Sequence, residues 1–259
     1  MVKSLTSGLE VAIYDVIFKR KSIRKYDNSP LDEDILNRIS EELNNLIPLH
    51  NDIKIDIKII SGEDVKLRGM KQAPHYLAIF SEKKDGYLTN LGFMLQQVDL
   101  LFSASGIGSC WQGIPSPKGN VLKSSDLDFI ILIAFGIPAE PLYRDDTSQF
   151  KRKSLENITD IVDAKELLEP VRLAPSAINS QPWFFTGTKD IIHACSNKPN
   201  FLKAILVNKY ISIDAGIAIY HLKVSAEHFK KTITITFNKD KTIPKGLNYL
   251  ATLKLDSAD

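Results

Sequence analysis

Two long apolar helices, each leading into a strand, do more than any other feature to limit what this chain can become. Leu88 to Ser105 places Leu91, Met94, Leu95, Val98 and Leu101 at helical spacing with few polar positions, so this helix is expected to be buried on most sides. Ile213 to Phe229 is likewise read as a helix. The first carries Asn90-Leu91-Gly92-Phe93-Met94 and the second Asp214-Ala215-Gly216-Ile217-Ala218, each a polar residue, then a small or apolar one, then Gly. After about three more turns each helix leads into a strand, and a matched pair in a matched setting argues for an internal duplication.

The remaining elements fill in two halves. The first is expected to hold helices over Glu10–Arg20 and Leu31–Leu46 and strands over Asp52–Ile60, Tyr76–Phe80 and Phe129–Phe135, the last closed by Gly136-Ile137-Pro138. The second is expected to hold a helix over Glu166–Arg172 and strands over Trp183–Gly187, Ile191–Cys195, Thr232–Phe237 and Tyr249–Leu255. The charged stretch Asp145–Asn157 reads as the joint, giving halves of residues 1–150 and 151–259.

Composition excludes several classes. A net charge of +2 with a quarter of the residues charged marks neither a nucleic-acid nor a membrane-surface protein. No apolar run reaches the ~18 residues of a membrane span, and Met1 begins no signal-peptide pattern, so a cytoplasmic protein is expected. Cys110 and Cys195 make neither a disulfide framework nor a metal site, and Cys110 reads as a packed thiol. His75 and His193 fall in strand-like runs, where a core or edge role is expected.

Four short segments carry the chemistry. In Arg172-Leu173-Ala174-Pro175-Ser176-Ala177-Ile178-Asn179-Ser180-Gln181-Pro182-Trp183 a helix ends in a polar turn, with Pro182 expected to hold Gln181 extended. Such a turn aims backbone N–H groups and small polar side chains at one spot, although each residue alone is ordinary in a loop. In Arg20-Lys21-Ser22-Ile23-Arg24, an extended chain would project Arg20, Ser22 and Arg24 to one side, which suits an oxyanion; a basic helix end is the plainer reading. Gly106-Ile107-Gly108-Ser109-Cys110-Trp111-Gln112-Gly113 reads as a helix stop and a loop, with glycine spacing wrong for a dinucleotide fingerprint. Lys151-Arg152-Lys153 reads by default as a solvated basic linker.

Together these segments resemble the nitroreductase family of FMN-dependent reductases. The likeness is strongest at Pro175–Trp183, whose string resembles the family's flavin-facing turn. It is weaker at Arg20–Arg24 and over Asn90–Gly113. In the family's usual order that turn follows the Arg-rich segment within about one helix, where this chain reads Ile47-Pro48-Leu49-His50-Asn51-Asp52; it occurs instead about half a chain later. The resemblance therefore implies an α+β nitroreductase-like fold of two fused half-copies, each a mainly antiparallel sheet flanked by helices, forming an intramolecular pseudo-dimer with one flavin between them.

The family's pattern implies roles for individual residues. Arg20, Lys21, Ser22 and Arg24 would meet the FMN phosphate, ribityl chain and ring, with Arg24 tuning reduction potential. Gln112 and Gly113 would lie by the reactive ring nitrogen, one or more of Lys151, Arg152 and Lys153 by the phosphate, and Pro175, Ser176, Ala177 and Asn179 against the flavin. No catalytic acid, base or metal is implied. The expected activity is ping-pong hydride transfer from NAD(P)H through FMN to a small-molecule electron acceptor, by a monomer. The alternative keeps the fold and drops the enzyme: a flavin-binding or storage protein, or a member that no longer takes FMN.

Overall fold

A computed structural model describes residues 9–198, 204–238 and 243–257. The chain start, read above as lacking a signal pattern, lies outside the described residues. The chain divides into two compact units. Unit 1 takes Lys19–Tyr87 and Gln97–Asp146 together with the described residues before Ile13. Unit 2 takes Ile13–Phe18, Leu88–Gln96 and the chain from Thr147 onward.

In unit 1, β1 (Ile55–Ser61), β3 (His75–Ser81), β4 (Gly108–Gln112) and β6 (Asp128–Gly136) form an antiparallel sheet of order β1-β3-β6-β4. A small ribbon of β2 (Val65–Lys66) and β5 (Ser116–Pro117) stands apart from it. Every residue of β3 is buried, which is why His75-Tyr76-Leu77-Ala78-Ile79-Phe80-Ser81 runs apolar instead of alternating. Tyr76, Ala78 and Phe80 pack with Ile60, Val65, Leu132 and Ala134 in one core cluster. Phe135 stacks on Phe102, from the later part of α3 (Tyr87–Ala104), with ring centroids 4.9 Å apart. The helices α1 (Leu9–Ile17), α2 (Glu33–Asn44) and α4 (Gly119–Leu122) complete the first half of the chain. His75 is buried and its Nε2 accepts the Leu31 N–H at 2.9 Å, the core role expected of it.

Unit 2 holds α5 (Lys165–Arg172), β7 (Trp183–Gly187), β8 (Ile191–Asn197), α6 (Ala204–His228), β9 (Lys231–Thr236) and β10 (Leu247–Ser257). Its sheet is again antiparallel, of order β7-β8-β10-β9. Unit 1 follows a hairpin, a helix and two more strands, the last returning between its predecessor and the hairpin. Unit 2 follows the same course, so β1, β3, α3, β4 and β6 correspond in turn to β7, β8, α6, β9 and β10. His193 sits in β8 with Nδ1 2.9 Å from Thr252 Oγ1, again a structural partner.

The first part of α3 belongs to unit 2 and crosses α6 there. A Cβ added to Gly92 would stand 2.0 Å from the Ile213 carbonyl oxygen, and one added to Gly216 would stand 2.0 Å from the Thr89 carbonyl oxygen. Each glycine thus faces the carbonyl three residues before the other, a reciprocal contact of the kind a two-fold axis produces. The two helix motifs matched in the sequence are the two sides of this crossing.

Three expectations fail locally. The helix expected over Glu10–Arg20 ends at Ile17, and Arg20 forms a bridge with Tyr143 instead. Gly108–Gln112 is a strand on β6, not loop, because Ser109, Cys110 and Trp111 complete the sheet's edge after the left-handed Gly106 (φ +85°) stops α3. The helix expected from Ile213 begins at Ala204.

Candidate functional site

Lys19 to Asp27 is held along its length in unit 1. Arg20 bridges to Tyr143 and Tyr26 to Pro138, and the Ile23 N–H donates to Ser109 O at 2.8 Å. Ile23 is fully buried against Gly108, where an added Cβ would come within 2.9 Å of its side chain. That anchor fixes the residues on either side. Arg20 is 1% exposed; its Nε lies 3.0 Å from Asp99 Oδ2, and Nη2 donates to Ser22 Oγ at 3.4 Å. Asp99 Oδ1 also accepts from Ser109 Oγ at 2.7 Å. Arg24 is exposed and its Nη1 reaches back to Ser22 O at 3.4 Å.

A third guanidinium joins this pair. Arg144 donates to the Arg20 carbonyl, and burial followed by the charges of Arg20 and Arg24 pushes its pKa down to about 10. Glu140 accepts the Arg24 N–H at 2.7 Å and the Lys25 N–H at 3.2 Å. The first of these bonds, helped by the Lys21 and Lys25 charges, holds its carboxyl below the usual range. Cys110 is buried and its thiol is pushed up by burial, against the pull of Arg24 and Arg20; it is a packed thiol, as expected. Gln112 ends β4, buried, and its side-chain oxygen meets no donor among the described residues. Gly113 follows it into a bend.

In unit 2 the chain leaving α5 makes a strained turn. Ile178, Asn179 and Gln181 have φ of +49°, +58° and +47°. Left-handed backbone at a β-branched residue such as Ile178 costs on the order of 1–3 kcal/mol and persists only where surroundings enforce it. Those surroundings are hydrogen bonds. The Ala177 N–H donates to Asp214 of α6, 3.0 Å from Oδ1 and 3.1 Å from Oδ2, and Ser180 Oγ donates to Oδ2 at 3.4 Å. Asn179 accepts from Arg152 through Oδ1 and donates through Nδ2 to Lys151 O at 2.9 Å. The Gln181 N–H donates to Ser176 Oγ at 3.0 Å, and its Nε2 donates to Asn179 O at 3.0 Å. Gln181 Oε1 accepts the Lys153 N–H at 2.7 Å, and its carbonyl accepts from Lys153 Nζ at 2.9 Å.

Gln181 is therefore left-handed and not extended as Pro182 led us to expect: two bonds from distant Lys153 and two within the turn outweigh the local proline preference. Pro175 is buried, Ser176 and Ala177 are half-buried, and Ile178 is 89% exposed at the tip. His221, fully buried on α6, has Nδ1 2.8 Å from Pro170 O and Nε2 3.2 Å from Gln96 Nε2.

The "Putative TM nitroreductase" family model matches residues 12–226. The chain belongs to this family. Among solved structures, one described as a putative nitroreductase of Thermotoga maritima is 25% identical, with a TM-score of 0.63 over 94% of this chain and 92% of that one. An FMN-dependent nitroreductase of Mycobacterium smegmatis in complex with NADPH is 14% identical at a TM-score of 0.40, over 56% of this chain and 99% of that one. An FMN-dependent nitroreductase of Clostridium difficile is 19% identical at 0.40, over 54% and 94%. No curated protein matches the chain.

Nitroreductase family membership gives the chain a general oxidoreductase role. Of the residues singled out from sequence, unit 1 brings Arg20, Ser22 and Arg24 together, with Lys21 at the edge and Gln112 and Gly113 at the end of β4. Unit 2 brings Lys151, Arg152 and Lys153 onto the turn of Pro175, Ser176, Ala177 and Asn179. Sequence reasoning missed Asp99, Arg144 and Asp214 as site residues. Asp99 and Asp214 left a signal, since an acid within an apolar helix needs a partner. Arg144 left none.

Proposed function

We propose that this member of the family is an FMN-dependent NAD(P)H oxidoreductase whose single flavin draws on the Arg20–Arg24 segment with Arg144 and on the Pro175–Gln181 turn. The observation that carries this reading is the gathering of three guanidiniums on one segment: Arg20 and Arg24 each reach Ser22, and Arg144 donates to the Arg20 carbonyl, where burial first and then the Arg20 and Arg24 charges lower its pKa. Cations that repel one another at this range are relieved by an anion, and a phosphate near −2 suits them. FMN bound there would supply the hydride transfer, from NAD(P)H to a small-molecule electron acceptor, in ping-pong order.

The chain's own residues bind and orient. Arg20 and Arg144 would face the phosphate, with Arg20 clamped by Asp99 so that it sets where Ser22 lies, and Arg24 would reach the flavin ring. Gln112 offers a buried side-chain oxygen still in need of a donor among the described residues. The reciprocal Gly92–Gly216 crossing and the repeated strand order favour a fused pseudo-dimer that works as a monomer.

The test is an absorbance spectrum of the purified chain before and after FMN, then with anaerobic NADH or NADPH. A flavin spectrum that bleaches with either nucleotide is the expected outcome. Binding without bleaching would make it a storage protein, and no binding would end the proposal.

A further inference from the structure

Asp214 is a buried acid for which the reading above has no use. It is 3% exposed on α6, two residues before the Gly216 that touches Thr89. Among the described residues its hydrogen-bond donors are the Ala177 N–H and the Ser180 hydroxyl, and no cation stands among the groups that act on its charge. Burying a carboxyl without a cation is costly, and burial does push this one up to about 8 against the two hydrogen bonds. The cost is offset by what the acid holds. Ala177 and Ser180 flank Ile178 and Asn179, the consecutive left-handed pair, so one carboxyl group grips both ends of the strained step.

The internal duplication supplies an independent comparison. At the matching place on α3, two residues before Gly92, stands Asn90, and the first half has no such turn after its second helix, only Ile47-Pro48-Leu49-His50-Asn51-Asp52. The acid accompanies the turn.

We propose that Asp214 is a positioning residue for FMN: by accepting from Ala177 and Ser180 it keeps the Pro175–Gln181 turn in the one shape that binds the flavin. The proposal rests on the flavin reading above and adds to it a residue that touches neither flavin nor substrate. Asparagine can replace the acid, since its oxygen accepts from Ala177 and its amide donates to Ser180; alanine and leucine cannot.

The experiment measures two things on the full chain with FMN as probe: amide hydrogen exchange across residues 174–183 without FMN, and FMN affinity by fluorescence quenching. In Asp214→Ala, exchange in the turn and the FMN dissociation constant should each rise about tenfold or more, the effect of losing the hydrogen bonds from Ala177 and Ser180. In Asp214→Asn both should stay within about threefold of the unaltered chain. Asp214→Leu, which fills the space without an acceptor, replaces the alanine variant if that fails to fold and should behave like it. Unchanged exchange in the alanine or leucine variant overturns the proposal, as does loss of FMN affinity in the asparagine variant equal to that in alanine. Faster exchange in a chain that binds no FMN even unaltered overturns the flavin reading, and with it the ligand named here, while leaving the hold on the turn.

Discussion

Arg20 serves the fold as well as the site, and substitution separates the two. Its guanidinium is buried on Asp99, so removing either partner strands a charge; Arg20→Ala or Asp99→Ala should cost about 3–5 kcal/mol of stability. Denaturant midpoints for the two single variants and the double would show it, with the double losing less than the sum. Arg24 is exposed and carries no such pair among the described residues, so Arg24→Ala should weaken FMN binding at nearly unchanged stability, read by fluorescence titration beside thermal melting. Asp214 sets a pH dependence. Its pKa rises on folding from 3.8 to about 8, so the folded chain keeps a proton that the unfolded chain releases. Stability should therefore fall as pH rises between those values and level off above. The groups around it are Tyr210 on α6, itself raised by burial and then by Asp214, and on the turn Ala177 and Ser180, with Arg152 and Lys153 bonded to Asn179 and Gln181. Comparing unfolding of the unaltered chain and Asp214→Asn at pH 5 and pH 8 checks this: the variant's stability relative to the unaltered chain should rise between the two. At this scale the sequence showed Arg20 and Ser22 as neighbours because spacing of two is local. It could not show Asp99 or Arg144, whose contacts are made by the fold.

At the scale of elements, the α3–α6 crossing depends on two missing side chains. Gly92→Ala or Gly216→Ala would drive a Cβ into a backbone carbonyl oxygen 2.0 Å away, and rigid helices cannot yield as a side chain can. Each should cost about 1–3 kcal/mol or more, by chemical denaturation, and the double variant should be worse than either. Periodicity revealed these helices and most strands, since Leu91, Leu95 and Val98 repeat at helical spacing and Trp183–Gly187 has the bounds expected. What it missed has a shared cause. β2 and β5 have two residues each, too short for any period, and β4 begins with a glycine pattern that reads as a loop until β6 lies beside it. Gln181 inverted its expected backbone for the same reason: local preference yields to bonds from distant residues.

For the whole molecule, the repeated helix motif was the most legible feature, and it is the sequence's argument for a duplication. Strand order within each unit now supports it independently. If the fused pair is self-sufficient, sedimentation equilibrium should return the mass of one chain, 29.0 kDa, with and without FMN. Twice that mass would show that a second copy is needed. The reciprocal crossing also changes how such a protein can vary. In an assembly of two identical chains every mutation arrives twice, once on each side of the axis. Here the two sides are written by separate codons, so Asn90 and Asp214 occupy matching places and yet differ. One arm can drift, or be redesigned, while the other is left untouched, a liberty that no pair of identical subunits has.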